Sequence, residues 1–262
     1  MAGRKIGLAL GGGAARGVAH VGVLRGLEEL GVEISVIAGT SSGSMVGALF
    51  AAGYSPEQLT ELARAITWRD LTELVVPRRG LLGTERMERL LEELLGGRTF
   101  DELDMPCAAV CTDLYTAGRI ILRHGPVAPA VRASCSLPGV FSPLETRDWA
   151  LVDGGVVENV PVKTARELGA DLVIGVDLYA DIAPTHKVEG MFGVLARTFE
   201  ILQRYQCRTE FQSADVCLEP RMAGASLLDL NQIDHYIQLG YEAVMEHEED
   251  ILALKERAQG ET

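Results

Sequence analysis

The chain has no excess of basic residues: 24 Lys and Arg stand against 37 Asp and Glu, a net charge of −13 over 262 residues. A duplex nucleic acid needs clustered Lys and Arg to displace its phosphate counterions, so no nucleic-acid partner is expected. The same balance works against strong attraction to anionic lipid. The one basic spot, Arg78-Arg79, reads as solvated loop, with contact to a membrane surface as the alternative. Long hydrophobic runs are also missing. The apolar stretch after Arg4 and Lys5 is short and turns glycine-rich at once, so neither a secretory signal nor a transmembrane helix is expected. The expectation is a cytoplasmic protein, with peripheral contact at the inner face of the membrane left open.

Cysteine is sparse and odd in number: Cys107, Cys111, Cys135, Cys207 and Cys217 are dispersed among apolar or small residues. That pattern excludes a disulfide framework and suits buried, reduced thiols. Cys107 and Cys111 have no paired His or second Cys pair nearby, so no metal site is expected. No internal repeat and no low-complexity linker divides the chain. It reads as one domain over 1–262, with its motifs in about 5–180 and a helical C-terminal part at about 185–262.

What is present is an alternation of strands and helices. Lys5 to Leu10 reads as a strand, followed by the glycine loop Gly11 to Gly17 and a helix through about Leu30. Ile34 to Ala38 is a second strand, ending at Gly39-Thr40-Ser41-Ser42-Gly43 and a small-residue helix closed by Gly53. Ser55-Pro56-Glu57 opens the next helix with an N-cap, a Pro at the first position and an acidic first turn. Residues 68–103 read as two helical stretches around Pro77 to Gly80, the second at Thr84 to Leu95. They form either an ordinary insertion or a cap over a site. Pro106 to Thr112 and Arg119 to Leu122 read as a hairpin. A helix at Ala128 to Ser134, a strand at Trp149 to Val152, and a helix and strand at Val162 to Val176 follow. Helices at about Val188 to Arg208 and Gln232 to Lys255 flank a strand at Ala214 to Leu218. Met191, Val194, Leu195, Phe199 and Leu202 form an apolar stripe on the first of these, read as core packing, with a dimer or membrane-facing surface as the alternative. This order of elements implies a mainly parallel sheet covered on both faces, an α/β fold.

Three glycine-containing turns, at 11–17, 39–43 and 153–155, each follow a predicted strand. In an open parallel sheet the loops leaving strand C-terminal ends share one edge, so these turns are expected to converge. In the G-x-S-x-G turn, Gly39 and Gly43 remove side chains that would collide, presenting the Ser41 hydroxyl as a nucleophile. A serine hydroxyl needs a base. Asp153, followed by Gly154 and Gly155, is the best candidate, becoming useful if desolvation raises its pKa. The backbone N–H groups of Gly11, Gly12 and Gly13 at a helix start can stabilise an oxyanion or bind phosphate. The loop lacks the Lys-Ser or Lys-Thr ending of a phosphate-binding P-loop. Arg16 either holds the loop or attracts a substrate phosphate. His186, His235 and His247 follow the acid, yet none stands at a glycine-bounded strand end, and His20 reads as packing. A Ser-Asp pair therefore fits better than a triad.

Four ordered segments carry a resemblance. Leu8 to Leu24, Gly39 to Gly43, Arg132 to Phe141 and Val152 to Val162 together resemble the bacterial patatin-like phospholipases in order and approximate spacing over about residues 5–180. The resemblance implies a three-layer α/β/α sandwich and a lipid acyl hydrolase working without metal or cofactor. Ser41 would be its nucleophile, Asp153 its base, and the Gly12 and Gly13 amides its oxyanion donors. Acyl transfer, thioester hydrolysis, or lipid binding with little turnover remain alternatives, and a homo-oligomer is open. One departure stands out: Ala14 occupies the place of a glycine frequent in the family, and Ala is comfortable only at negative φ.

Overall fold

The computed structural model describes residues 3–74, 80, 82–181, 188 and 190–260, without the side chains of 74, 192 and 206–210. The Arg78-Arg79 spot, His186 and the Cys207 side chain lie outside the described residues.

The chain begins with β1 (Ile6–Leu10), a 3-10 turn (Ala14–Val18) and α1 (Ala19–Glu29). Next come β2 (Val36–Thr40), α2 (Ser42–Ala51), α3 (Pro56–Ala65), α4 (Trp68–Leu71), the short strands β3 (Glu73–Leu74) and β4 (Leu82–Gly83), and α5 (Glu85–Leu95). The middle of the chain holds β5 (Cys107–Asp113), β6 (Gly118–Leu122), α6 (Val127–Ser134), β7 (Leu144–Glu145), β8 (Ala150–Asp153), α7 (Val162–Glu167) and β9 (Leu172–Val176). It closes with α8 (Gly190–Phe211), β10 (Val216–Leu218), α9 (Ile233–Glu246) and α10 (Glu248–Gln259). The helix expected at Gln232 to Lys255 is thus two helices, broken where His247 leaves helical geometry at φ −115° and ψ 22°.

Local chemistry sets the boundaries. Ser55 caps α3 through a reciprocal capping box with Gln58, and Pro56 opens the helix. Gly53, at φ +95°, ends the α2 segment in a conformation that a side chain disfavours.

Strands β10, β9, β1, β2 and β5 run parallel in that order. Their side chains alternate between two apolar layers, as a strand's period of two requires. Leu8, Leu10, Ile37, Ile174 and Val176 face a large cluster with α1, α2, α9 and α10. Ala9, Val36, Ala38 and Val173 face a smaller one with α7 and Phe211 of α8. Helices therefore cover both faces of the sheet, giving the expected α/β/α sandwich.

One part of the topology differs from expectation. β6 pairs with β5 from Ala109 to Asp113, so β5 has a single edge left for two other partners. β2 takes it up to Val110, and β8, running antiparallel, takes it from Cys111. Two strands thus meet end to end on one edge of β5, the C-terminal end of β2 facing that of β8. Ser41 and Asp153 come together by this head-on meeting. They are not neighbours leaving parallel strands, because Asp153 arrives from the opposite direction.

Candidate active site

Ser41 follows β2 directly and has φ 52° and ψ −127°, a strained backbone for a residue with a side chain. The surroundings hold it there. Its N–H donates to the Ser134 hydroxyl at 2.9 Å, and that hydroxyl donates to the Val110 carbonyl at 2.6 Å. Its carbonyl accepts the Ser44 hydroxyl at 2.6 Å and the Ser44 N–H at 2.9 Å. A Cβ on Gly39 would run into the Ser44 backbone, and one on Gly43 into the Leu10 carbonyl. Neither glycine has positive φ, so both are needed for closeness of approach. Gly17 lies equally close to the Ser42 side chain, which locks the first glycine loop onto the serine turn.

Asp153 ends β8 and is only 2% exposed. Its Oδ1 accepts the Gly155 N–H at 2.8 Å, while its own N–H donates to the Ser136 carbonyl at 2.9 Å. Burial pushes its pKa up to about 6, and hydrogen bonding from the Ser41 hydroxyl and the Gly155 N–H opposes that rise without cancelling it. A carboxylate poised there is basic enough to take a proton near neutral pH and is largely ionised at pH 7. Gly154 presses on the Val110 carbonyl, and Gly155 packs against Phe199 and Gln203 of α8.

The glycine loop is rearranged relative to expectation. The Gly11 N–H donates to the Val176 carbonyl at 3.1 Å, so it is not a free donor. The Gly12 N–H is taken by Asn159 Oδ1 at 3.2 Å. Among the described residues, the N–H groups of Gly13 and Ala14 are the ones in this loop that lack a partner. Ala14 has φ +49°, so the loop keeps the glycine-type conformation and accepts the strain of a Cβ there.

Arg16 likewise departs from a substrate-binding role. Its guanidinium is buried, pairs with Glu200 at 2.9 Å and donates to the Ala225 carbonyl at 2.6 Å, and it does not line the cleft. It holds the loop to α8 and to the segment before α9. His20 Nε2 meets the Gly11 carbonyl at 2.7 Å, and burial lowers its pKa to about 4, leaving it neutral. No described histidine lines the cleft.

Ser41, Asp153, Gly12, Gly13, Ala14 and Asn159 line one cleft that opens to solvent. Apolar side chains make up most of the rest of its wall, among them Met45, Leu49, Leu59, Met87, Phe141 and Phe199. Two members were not singled out from the sequence. Ser134 orients the serine turn, and Asn159 brings an amide whose Nδ2 is buried without a partner. Both lie inside the segments that carried the resemblance, where their distance along the chain hid their contact with Ser41 and Gly12. The four cysteines with described side chains are free thiols, and no group of described residues has the arrangement of a metal site.

The profile of the family described as patatin-like phospholipase matches residues 8–166. An uncharacterized NTE family protein of Mycobacterium tuberculosis is 37% identical over 177 residues, covering 66% of this chain and 49% of that protein. Patatin-like phospholipase domain-containing protein 7 of Rattus norvegicus is 30% identical over 277 residues, covering 92% of this chain and 20% of that protein. The chain spans about half the length, or less, of the curated relatives it matches. Among solved structures, VipD from Legionella pneumophila superposes with a TM-score of 0.55 at 12% identity, over 94% of this chain and 66% of that one. ExoU in its complex with SpcU from Pseudomonas aeruginosa gives 0.52 at 18% identity, over 98% and 52%. At such identities these two speak for the fold alone. The matched profile covers more than half of the chain and contains both Ser41 and Asp153, and the chain belongs to the patatin-like phospholipase family.

Proposed function

We propose that the chain is a lipid acyl hydrolase, a phospholipase- or lysophospholipase-type enzyme that cleaves carboxylic esters through an acyl-serine. The observation that carries this reading is a buried carboxylate with a pKa of about 6 facing a strained serine at the end of an apolar cleft. Ser41 Oγ attacks the ester carbonyl carbon as its proton passes to Asp153. The resulting oxyanion accepts hydrogen bonds from the Gly13 and Ala14 N–H groups, which are free to give them. As the carbonyl re-forms, the bond to the leaving alcohol breaks and Asp153 returns the proton to that oxygen. Water then attacks the acyl-serine as Asp153 again takes the proton, the bond between the acyl carbon and Ser41 Oγ breaks to release the carboxylic acid, and Asp153 returns the proton to Ser41 Oγ. The apolar wall suits an acyl chain and offers a head group little to bond. Asp153 acts without an intervening imidazole because its burial already gives it the basicity that a histidine would supply.

A fluorophosphonate probe followed by mapping of the adduct tests the mechanism. The wild type is expected to carry the adduct on Ser41, and Asp153→Asn to label far more slowly. Ester turnover in a preparation whose Ser41 remains unlabelled would overturn the assignment. Adding a competing alcohol to the reaction shows whether the acyl group passes to water or to another acceptor.

A further inference from the structure

Helix α8 has its polarity inside out. Glu200 and Gln203 are buried, whereas Met191 and Tyr205 are each 73% exposed and Val194, Ile201 and Leu202 are exposed as well. The buried residues are committed: Gln203 Nε2 donates to the Gly155 carbonyl at 2.7 Å, and Glu200 pairs with Arg16. Rolling the apolar stripe inward would strip those bonds inside the protein and leave polar groups buried without partners. The stripe is therefore fixed as a surface, and an exposed apolar patch of this kind marks an interaction site.

We propose that this face of α8 docks on a zwitterionic lipid surface. It is continuous with the wall of the cleft: Phe199, on the inner side of α8, lines the cleft, and Leu195 Cδ1 lies 3.3 Å from where a Cβ on Gly139 would stand, between the lining residues Leu137 and Phe141. A ligand apolar enough for that cleft resides in a lipid surface, and docking the patch sets the cleft beside it. This last step rests on the lipid reading above; the docking itself does not. Charge selects the kind of surface. The six exposed side chains of this face are uncharged, and a net charge of −13 gives the chain no long-range pull toward anionic lipid, so attachment comes from apolar insertion into a neutral interface.

Flotation with phosphatidylcholine vesicles tests this. The wild type is expected to float with the vesicles, and raising the salt is expected to leave the bound fraction unchanged, since no charge attraction is involved. The triple variant Met191→Ser, Leu202→Ser, Tyr205→Ser is expected to lose at least about tenfold in vesicle partition, from the lost burial of three apolar side chains, while hydrolysing a soluble short-chain ester at the wild-type rate. Failure of the wild type to float, or equal flotation of the variant, would overturn the proposal. So would a wild-type dimer that the variant converts to monomer without any vesicle binding. A wild type that floats yet turns over no ester sinks the hydrolase reading and leaves docking standing.

Discussion

The turn carrying Ser41 is held through its main chain, by close backbone packing and by the Ser134 and Ser44 hydroxyls, whereas α8, which packs on the Asp153 loop next to it, is anchored by buried side-chain polar bonds and turns most of its apolar residues to solvent. In the first region Gly39 and Gly43 leave no room for even one carbon beyond Cα. In the second, Gln203 and Glu200 reach in to Gly155 and Arg16, and the helix carries six exposed apolar side chains over its length. The serine turn is thus built for one geometry, as a nucleophile requires. Helix α8 is anchored at a few points and keeps a surface in reserve. Between them sits Asp153, oriented from the side of the serine and packed over from the side of α8, where Phe199 and Gln203 lie against Gly155.

The largest test of that contrast removes the nucleophile. Ser41→Ala should lower ester turnover by about 10⁴-fold or more while leaving the fold intact, because the turn is held by main-chain contacts that alanine keeps. Turnover of a soluble short-chain ester, measured beside a circular dichroism melt, checks both halves. Any destabilisation of the variant would show that the hydroxyl itself supports the turn.

The glycine motifs were legible because short glycine-rich runs directly after strands stand out along the chain. The contacts that require them, Gly43 against Leu10 and Gly17 against Ser42, join segments far apart in sequence. The strand and helix order was likewise legible, through periodicity. The head-on meeting of β2 and β8 was not, because strand direction within a mixed sheet is decided by partners far away in sequence. Gly12 was expected to donate to an oxyanion, and Asn159, 147 residues later, takes that donor. Helix α8 misled in a more instructive way. Its stripe of Met191, Val194, Leu195, Phe199 and Leu202 read as core packing, yet of these five only Phe199 turns toward the cleft and the other four are exposed. An apolar stripe gives a helix a face without saying which way the face points. Here the buried partners of Glu200 and Gln203 decide it.

A second test attacks the packing of the serine turn alone. Gly43→Ala would drive a Cβ into the Leu10 and Gly11 carbonyls, which belong to β1 and its loop and cannot give way without moving the sheet. Destabilisation of at least about 3 kcal/mol is expected, read by urea denaturation. A fully stable variant would mean that the β1 edge is softer than the contacts imply.

Asp153 supplies the third test, at the boundary between the two regions. Its pKa is raised from 3.8 to about 6 in the folded chain by burial, so the fold favours the protonated form. Stability is therefore lost as pH rises from about 3.8 to about 6 and stays lower above that range. Removing the charge with Asp153→Asn should restore about 2 to 3 kcal/mol at pH 7, with no gain at pH 3.5. Activity runs the other way: kcat/KM should fall about tenfold per pH unit below about 6 and level off above it, since the base works only when ionised. Melts of wild type and variant at the two pH values, with a pH profile of the wild type, measure both. If the variant is not stabilised at pH 7, the carboxylate is better solvated than its 2% exposure indicates.

The smallest effect separates the two regions most cleanly. Leu202 is 53% exposed on α8, so Leu202→Ser should change unfolding free energy by no more than about 0.5 kcal/mol. A leucine in the core away from the cleft, such as Leu24 on α1 at 2% exposure, should lose about 2 to 5 kcal/mol on replacement by alanine. Parallel urea titrations compare the two directly. A large loss at Leu202 would mean that the stripe on α8 packs against protein in solution, and the helix would then be held by its apolar face. A negligible loss leaves Gln203 and Glu200 as its anchors, and the stripe can be changed to tune surface attachment without disturbing the carboxylate beneath.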